Sequence, residues 1–178
     1  METTTRIGNA QDLFDLQVNQ LVAKRAFPEV VAFLYKTRGP EQAREDLRKI
    51  ASLIMQHFLL VWTPRSNKPF EIVKEMMQFF GKHKIKWKVL EQTNGQPLTV
   101  AIRDNHCPIC PDKKVEEVVV KKVHYCVAVS GSIEVVFNYL VQKKLVSFTK
   151  AKCETVKSTG SGDAYCEHIL TLEYGEVV

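Results

Sequence analysis

The sequence has 178 residues, of which 45% are apolar and 25% charged, and its formal net charge is +5. This composition excludes collagen-like, low-complexity and disordered chains, and so modest a charge does not favour nucleic acid as a partner. No signal peptide is evident and no apolar run reaches about 18 residues, so we expect a cytoplasmic protein without a membrane span.

The first half of the chain is predicted to be helical. Apolar residues recur at helical spacing, which predicts helical structure over residues 1–36, with a second helix beginning near Pro28, and further helices over residues 41–62 and 70–80. The dipeptide Gly39–Pro40 separates the helical region 1–36 from the helix over 41–62, and Gly81 ends the helix over 70–80. We therefore expect an N-terminal helical extension, residues 1–40, followed by one main domain, residues 41–178.

The second half combines strands with one more helix. A turn at Asn94–Gly95 joins the first two predicted strands, and the residues from 158 to 163 form the turn between the last two. The predicted elements are strands over 84–91 and 98–103, a helix over 123–141, and strands over 146–156 and 165–172. This order predicts an α+β fold in which helices pack on one antiparallel sheet.

All five cysteines lie in the C-terminal half: Cys107, Cys110, Cys126, Cys153 and Cys166. An odd number in a chain without a signal peptide argues against a disulfide framework. Metal ligation is the favoured interpretation, because the thiolates of Cys107 and Cys110 are spaced to reach one ion. The alternative is that the cysteines act as small buried apolar side chains.

Three motifs in this half resemble one known family. They are Asn-His-Cys-Pro-Ile-Cys at 105–110, Cys-Val-Ala-Val-Ser-Gly at 126–131, and Cys153 followed by Gly-Asp-Ala-Tyr-Cys-Glu at 162–167. They resemble elements of the 4-vinyl reductase domain, also called the hydrocarbon-binding domain, which shares a superfamily with the small TRAPP vesicle-tethering subunits. The resemblance covers residues 98–173 and is only topological before them.

The resemblance implies a zinc ion held by three cysteines and a carboxylate. The matching cysteines are Cys126, Cys153 and Cys166, whereas the carboxylate position holds Lys150. The fourth ligand is therefore left open, and its candidates are Cys107, Cys110, His106, His124 and Glu154. We expect zinc as the cofactor, bound by members of the cysteine set.

The resemblance also implies a pocket for a hydrocarbon, aromatic or acyl molecule in residues 41–178. Aromatic and methionine side chains adapt to such ligands, although at helical spacing they are also typical of plain core. The candidate ligand-binding residues are Phe58, Trp62, Phe70, Met76, Met77, Phe80 and Trp87.

No catalytic motif accompanies these features: the sequence has no nucleophile elbow, phosphate-binding loop, dinucleotide fingerprint or zinc-protease helix motif. We therefore expect a carrier, sensor or accessory subunit that binds an apolar or aromatic small molecule and forms a homodimer or pairs with a partner subunit. The alternatives are an interaction subunit of a larger complex with a vestigial pocket, or a subunit of a reductase.

Overall fold

The computed structural model describes residues 26–79, 85–94, 96–107, 109–110 and 124–175. Its helices are α1 (Phe27–Phe58), α2 (Pro69–Phe79) and α3 (Val127–Gln142), and its strands are β1 (Ile85–Thr93), β2 (Gln96–Asp104), β3 (Phe148–Lys157) and β4 (Cys166–Tyr174). Predicted features at residues 1–25, Gly81 and Gly95 lie outside the described residues. None of the described helices combines the length and the apolar character needed to cross a membrane.

Gly39 interrupts α1 where the sequence predicts a break. Its φ of 77° and ψ of 170° are non-helical, and residues other than glycine rarely adopt this combination of backbone angles. Pro40 then starts the second part of the helix, where a missing N–H costs little. Beyond it, Ala43, Leu47 and Ala51 recur every four residues and are buried.

The four strands form one antiparallel sheet in the order β1-β2-β4-β3. Helices cover one face of it, which confirms the predicted α+β fold. Strand β4 is central because it pairs with β2 on one side and with β3 on the other. This arrangement brings the end of β2 beside the start of β4, where Asp104 pairs with Cys166.

Helix α3 joins the sheet to α1. Ile133, Val136 and Phe137 are fully buried in the main apolar core, which includes Ile102 and Leu170 of the sheet. On the side of α3 that meets α1, Gly131 allows the two helices to approach closely. A Cβ atom there would lie 3.3 Å from the Cβ of Ala51.

The bounds of the elements differ from prediction by a few residues. The long helix ends at Phe58 rather than at residue 62, and α3 starts at Val127 rather than at residue 123. Apolar residues continue past both ends, at Leu59–Val61 and at Tyr125–Cys126, so the sequence carries no stop signal there. In the structure these residues form turns.

Candidate metal centre

Four cysteines meet at one end of the sheet, and they come from three parts of the fold. Cys107 and Cys110 follow the end of β2, where the Cys110 N–H donates to the Cys107 carbonyl at 3.3 Å. Cys126 stands immediately before the first turn of α3. Cys166 begins β4, and its pairing with Asp104 places it beside the loop that carries the first two cysteines.

The four sulfurs form a contiguous group. The Sγ of Cys126 lies 2.9 Å from that of Cys110, 3.0 Å from that of Cys166 and 3.5 Å from that of Cys107. All four sulfurs lie within 4.8 Å of one another. Tetrahedral zinc with Zn–S bonds of about 2.3 Å separates its sulfurs by about 3.8 Å, so a modest expansion of this group accommodates one ion.

The group is closed to solvent. Each of these cysteines is at most 8% exposed. They belong to a second apolar cluster, separate from the main core, together with Val31, Ala43, Leu47, Tyr125 and Val127. A site that water does not reach suits a structural ion, because a catalytic ion keeps an open position.

The thiols also perturb one another. Hydrogen bonds from the other thiols, that of Cys107 first, lower the pKa of the Cys110 thiol. Burial raises the pKa of the Cys126 thiol. The group therefore holds at least one thiolate readily while it resists ionising all four, and a divalent cation would relieve that resistance.

Hydroxyl and amide groups of one turn lie against the sulfurs. The turn follows β3 and contains a short 3-10 segment, Thr159–Ser161. The Ser158 Oγ lies 3.5 Å from the Cys110 Sγ and 3.4 Å from the Cys126 Sγ. The Thr159 N–H donates to the Cys166 Sγ at 3.4 Å, and the Thr159 Oγ1 lies 3.4 Å from the same sulfur.

The fifth predicted ligand, Cys153, does not join this group. It lies in β3 opposite Leu170, four positions along β4 from Cys166, which corresponds to about 13 Å of strand. Its side chain is fully buried in the main core. Burial raises the pKa of its thiol well above the usual value, so it remains a neutral thiol.

The other candidates for the fourth ligand also lie outside the group of four thiols. His106 is exposed, and Glu154 pairs with Lys152 at 2.8 Å. The Nδ1 of His124 lies 3.9 Å from the carboxylate of Asp163. Cys107 and Cys110 together therefore complete a four-sulfur set with Cys126 and Cys166.

The predicted ligand-binding residues fall into two aromatic pairs and a packed methionine pair. Phe58 stacks on Trp62 with ring centroids 4.9 Å apart, and Phe70 and Trp87 form a T-shaped pair with centroids 5.5 Å apart. Met76 and Met77 are fully buried in the main core. Phe80 lies outside the described residues.

A groove of about 340 Å³ lies between α1 and α3, and sequence reasoning missed it. Its lining residues are Ser52, Gln56, Leu59, Leu60, Glu134, Val135, Asn138, Tyr139 and Gln142. The candidates chosen for aromatic and methionine content are absent from this set. Polar residues on two helix faces give no sequence signal for a groove, because such faces are ordinarily solvated.

Solved structures share this fold. A trafficking protein particle complex subunit 3 from Naegleria fowleri, covalently bound to palmitic acid, superposes with a TM-score of 0.61 at 18% identity, covering 89% of this chain and 98% of that one. The phenol-responsive sensory domain of the transcription activator PoxR, solved with phenol, superposes with a TM-score of 0.55 at 11% identity. This match covers 83% of this chain and 73% of that one. No established protein family and no curated protein sequence matches the chain.

Proposed function

We propose that this protein is a non-enzymatic ligand-binding or accessory module whose C-terminal half is held together by one zinc ion. The observation that carries the proposal is the buried group of four thiols within 4.8 Å of one another. Its ligands are Cys107, Cys110, Cys126 and Cys166, and Cys153 is left out.

The donor set supports zinc in a structural role. Thiolates favour soft or borderline ions, and four of them close a tetrahedral coordination sphere. An iron–sulfur cluster inserts several irons and sulfides between its cysteines, which would need a wider spacing than the four sulfurs have here. When bound, the ion would tie the end of β2, the start of α3 and the start of β4 to one point, so its binding energy becomes folding energy.

The ligand half of the proposal is supported by what the two structural neighbours hold. One carries palmitic acid and the other was solved with phenol, an acyl chain and an aromatic ring respectively. In this chain we assign an apolar or aromatic ligand to the region of the Phe58–Trp62 and Phe70–Trp87 pairs. Rings of this kind match such ligands by area and shape.

Native mass spectrometry tests the metal half of the proposal. Protein purified without chelator, or refolded with equimolar zinc, should carry one zinc per chain, and a chelator under mild denaturation should remove it. The variant Cys153→Ala should keep the ion, whereas Cys166→Ala should lose it. A wild-type chain that stays metal-free after refolding with zinc would refute the metal centre.

Tryptophan fluorescence tests the ligand half, because the two tryptophans of the chain, Trp62 and Trp87, both belong to the proposed site. Titration with palmitate or with phenol should change the emission and raise the melting temperature as the ligand exceeds its Kd. The variants Trp62→Phe and Trp87→Phe identify which pair responds. Unchanged emission and melting temperature with both probes would remove the ligand proposal.

A second candidate function is an interaction subunit that pairs with another chain. The observation that favours it is the turn after α1, where Leu60 and Val61 are 81% and 86% exposed. Adjacent apolar side chains that are both exposed contribute to a contiguous apolar patch, which is typical of contact surfaces. Analytical ultracentrifugation of wild type and of the double variant Leu60→Ser, Val61→Ser tests it, since a self-associating wild type and a monomeric variant are expected.

A further inference from the structure

The turn between β3 and β4 lies against the four-thiol centre, and its hydroxyl and N–H groups face the sulfurs. Its Ser158 hydroxyl reaches two sulfurs, those of Cys110 and Cys126, at 3.5 and 3.4 Å. Its Thr159 N–H and hydroxyl both reach the Cys166 sulfur at 3.4 Å. One turn therefore contacts three of the four proposed ligands.

A centre of four thiolates and one divalent cation carries a charge of 2−. Burying that charge among apolar side chains is costly unless hydrogen-bond donors face it. Hydrogen bonds to a charged acceptor are roughly twice as strong as neutral ones. The fully buried Ser158 hydroxyl and the Thr159 N–H occupy the positions where such donors are needed.

The turn holds these donors in place by bonds of its own. The Asp163 carboxylate accepts the Ser158 N–H at 2.7 Å, and the Ser158 carbonyl accepts the N–H groups of Ser161 and Asp163 at 3.0 and 3.1 Å. Gly162 closes the turn with a φ of 100°, in the left-handed region that favours glycine. The donors are thus oriented before any ion binds, so little ordering cost falls on metal binding.

We propose that Ser158, supported by Thr159, tunes the metal centre: their hydrogen bonds to the ligand sulfurs offset the negative charge of the bound centre and strengthen metal binding. This inference rests on the proposed zinc centre and adds the residues that tune it. Outer residues of this kind typically change metal affinity 10- to 100-fold when they are replaced.

The test compares Ser158→Ala with a matched control, Ser132→Ala. Ser132 is also buried and lies on α3, but its hydroxyl donates to the Ala128 carbonyl at 2.9 Å rather than to a sulfur. Chelator competition should show zinc affinity about tenfold weaker in Ser158→Ala and unchanged in Ser132→Ala. In cobalt-substituted protein the thiolate-to-metal charge-transfer band should move to lower energy in Ser158→Ala alone, because thiolates without donors release electron density more easily.

The energy of the charge-transfer band distinguishes two roles for Ser158. If Ser158 only supports the fold, its replacement should leave the band energy unchanged. If Ser158→Ala does not fold, Thr159→Val serves instead, since it retains the N–H and should produce a smaller shift in the same direction. Wild-type affinity and wild-type band energy in the folded variant would overturn the inference. A wild-type protein that binds neither zinc nor cobalt would instead refute the metal centre itself.

Discussion

The Sγ of Cys110 lies 2.9 Å from the Sγ of Cys126, across a separation of 16 positions in the chain. This contact joins the loop after β2 to the start of α3, so a metal ion bound here would link these two parts of the fold. An ion that binds the folded chain and not the unfolded one stabilises the fold by its binding free energy. The stability of this end of the fold should therefore depend on metal occupancy.

Cysteine substitutions should separate the metal centre from the core. Cys126 and Cys153 are both fully buried, so their replacement by alanine removes the same atoms from equally buried positions. Cys153→Ala should cost about 1–2 kcal/mol of unfolding free energy and retain zinc. Cys126→Ala should no longer bind zinc, and its unfolding free energy should fall by about 4 kcal/mol or more, because the binding energy of the ion is folding energy. Urea unfolding with parallel zinc analysis measures both, and equal losses in the two variants would contradict the proposed ligand set.

Cys153 should make the protein sensitive to alkaline pH. Burial raises the pKa of its thiol above the ordinary 9.0, so the folded chain keeps a proton that the unfolded chain releases. The stability that this neutral thiol contributes is fully present below the pKa that Cys153 has in the unfolded chain, and it is lost as the pH rises above that value. Above about pH 9, the free energy of unfolding should fall more steeply in wild type than in Cys153→Ala, by up to about 1.4 kcal/mol per pH unit. Parallel slopes for the two proteins in urea unfolding from pH 7 to pH 10.5 would count against this.

Gly131 sets the separation of α1 and α3. A Cβ there would lie 3.3 Å from the Cβ of Ala51 and 3.4 Å from the Cα of Arg48, which is tight but adjustable. The unfolding free energy of Gly131→Ala should stay within about 1 kcal/mol of the wild-type value, because the higher helix propensity of alanine offsets the tight contact. Gly131→Leu should cost about 3 kcal/mol, since the helices must separate. Thermal unfolding measures both, and a leucine variant as stable as the alanine variant would show that the helices do not pack as described.

Side chains from the helices cover the outer edge of β3. Asn138 exchanges two hydrogen bonds with the backbone of Ala151, at 2.8 and 3.0 Å. The Cys153 N–H donates to Glu134 at 2.7 Å, and Arg48 donates to the Cys153 carbonyl at 3.0 Å. An uncovered strand edge invites pairing with other chains.

Removing these contacts should destabilise the protein and promote aggregation. Asn138→Ala and Glu134→Ala should each cost about 1–3 kcal/mol, because buried backbone groups lose their partners. Glu173→Ala is the control: its ion pair with Lys150 is exposed, so it should cost less than about 1 kcal/mol. Unfolding curves and light scattering at elevated temperature provide the readout. Equal aggregation of all three variants would argue against edge protection by these residues.

Much of the fold could be predicted from the sequence, because its elements carry strong local signals. The period of the apolar residues predicts the helices, and Gly39–Pro40 predicts the interruption of α1. Strand pairing is not a local property, however. The sequence offers no signal that β4 pairs with β2 as well as with β3, and that pairing decides where Cys166 lies.

The sequence therefore predicts a group of cysteines in this half of the chain, but not which of the five belong to it. Cys153 and Cys166 belong to one hairpin, and only its register shows that four positions separate them. The contribution of Cys107 and Cys110 depends on the pairing of Asp104 with Cys166. The contacts of Ser158 and Thr159 with the sulfurs could not be predicted, because serine and threonine in a turn are ordinarily interpreted as turn formers.

X-ray absorption spectroscopy of the zinc-loaded protein tests the central claim most directly. The account predicts a first shell of four sulfurs at about 2.3 Å and no nitrogen or oxygen, unchanged in Cys153→Ala. A shell of three sulfurs with one nitrogen or oxygen, or a shell that changes when Cys153 is replaced, would contradict it.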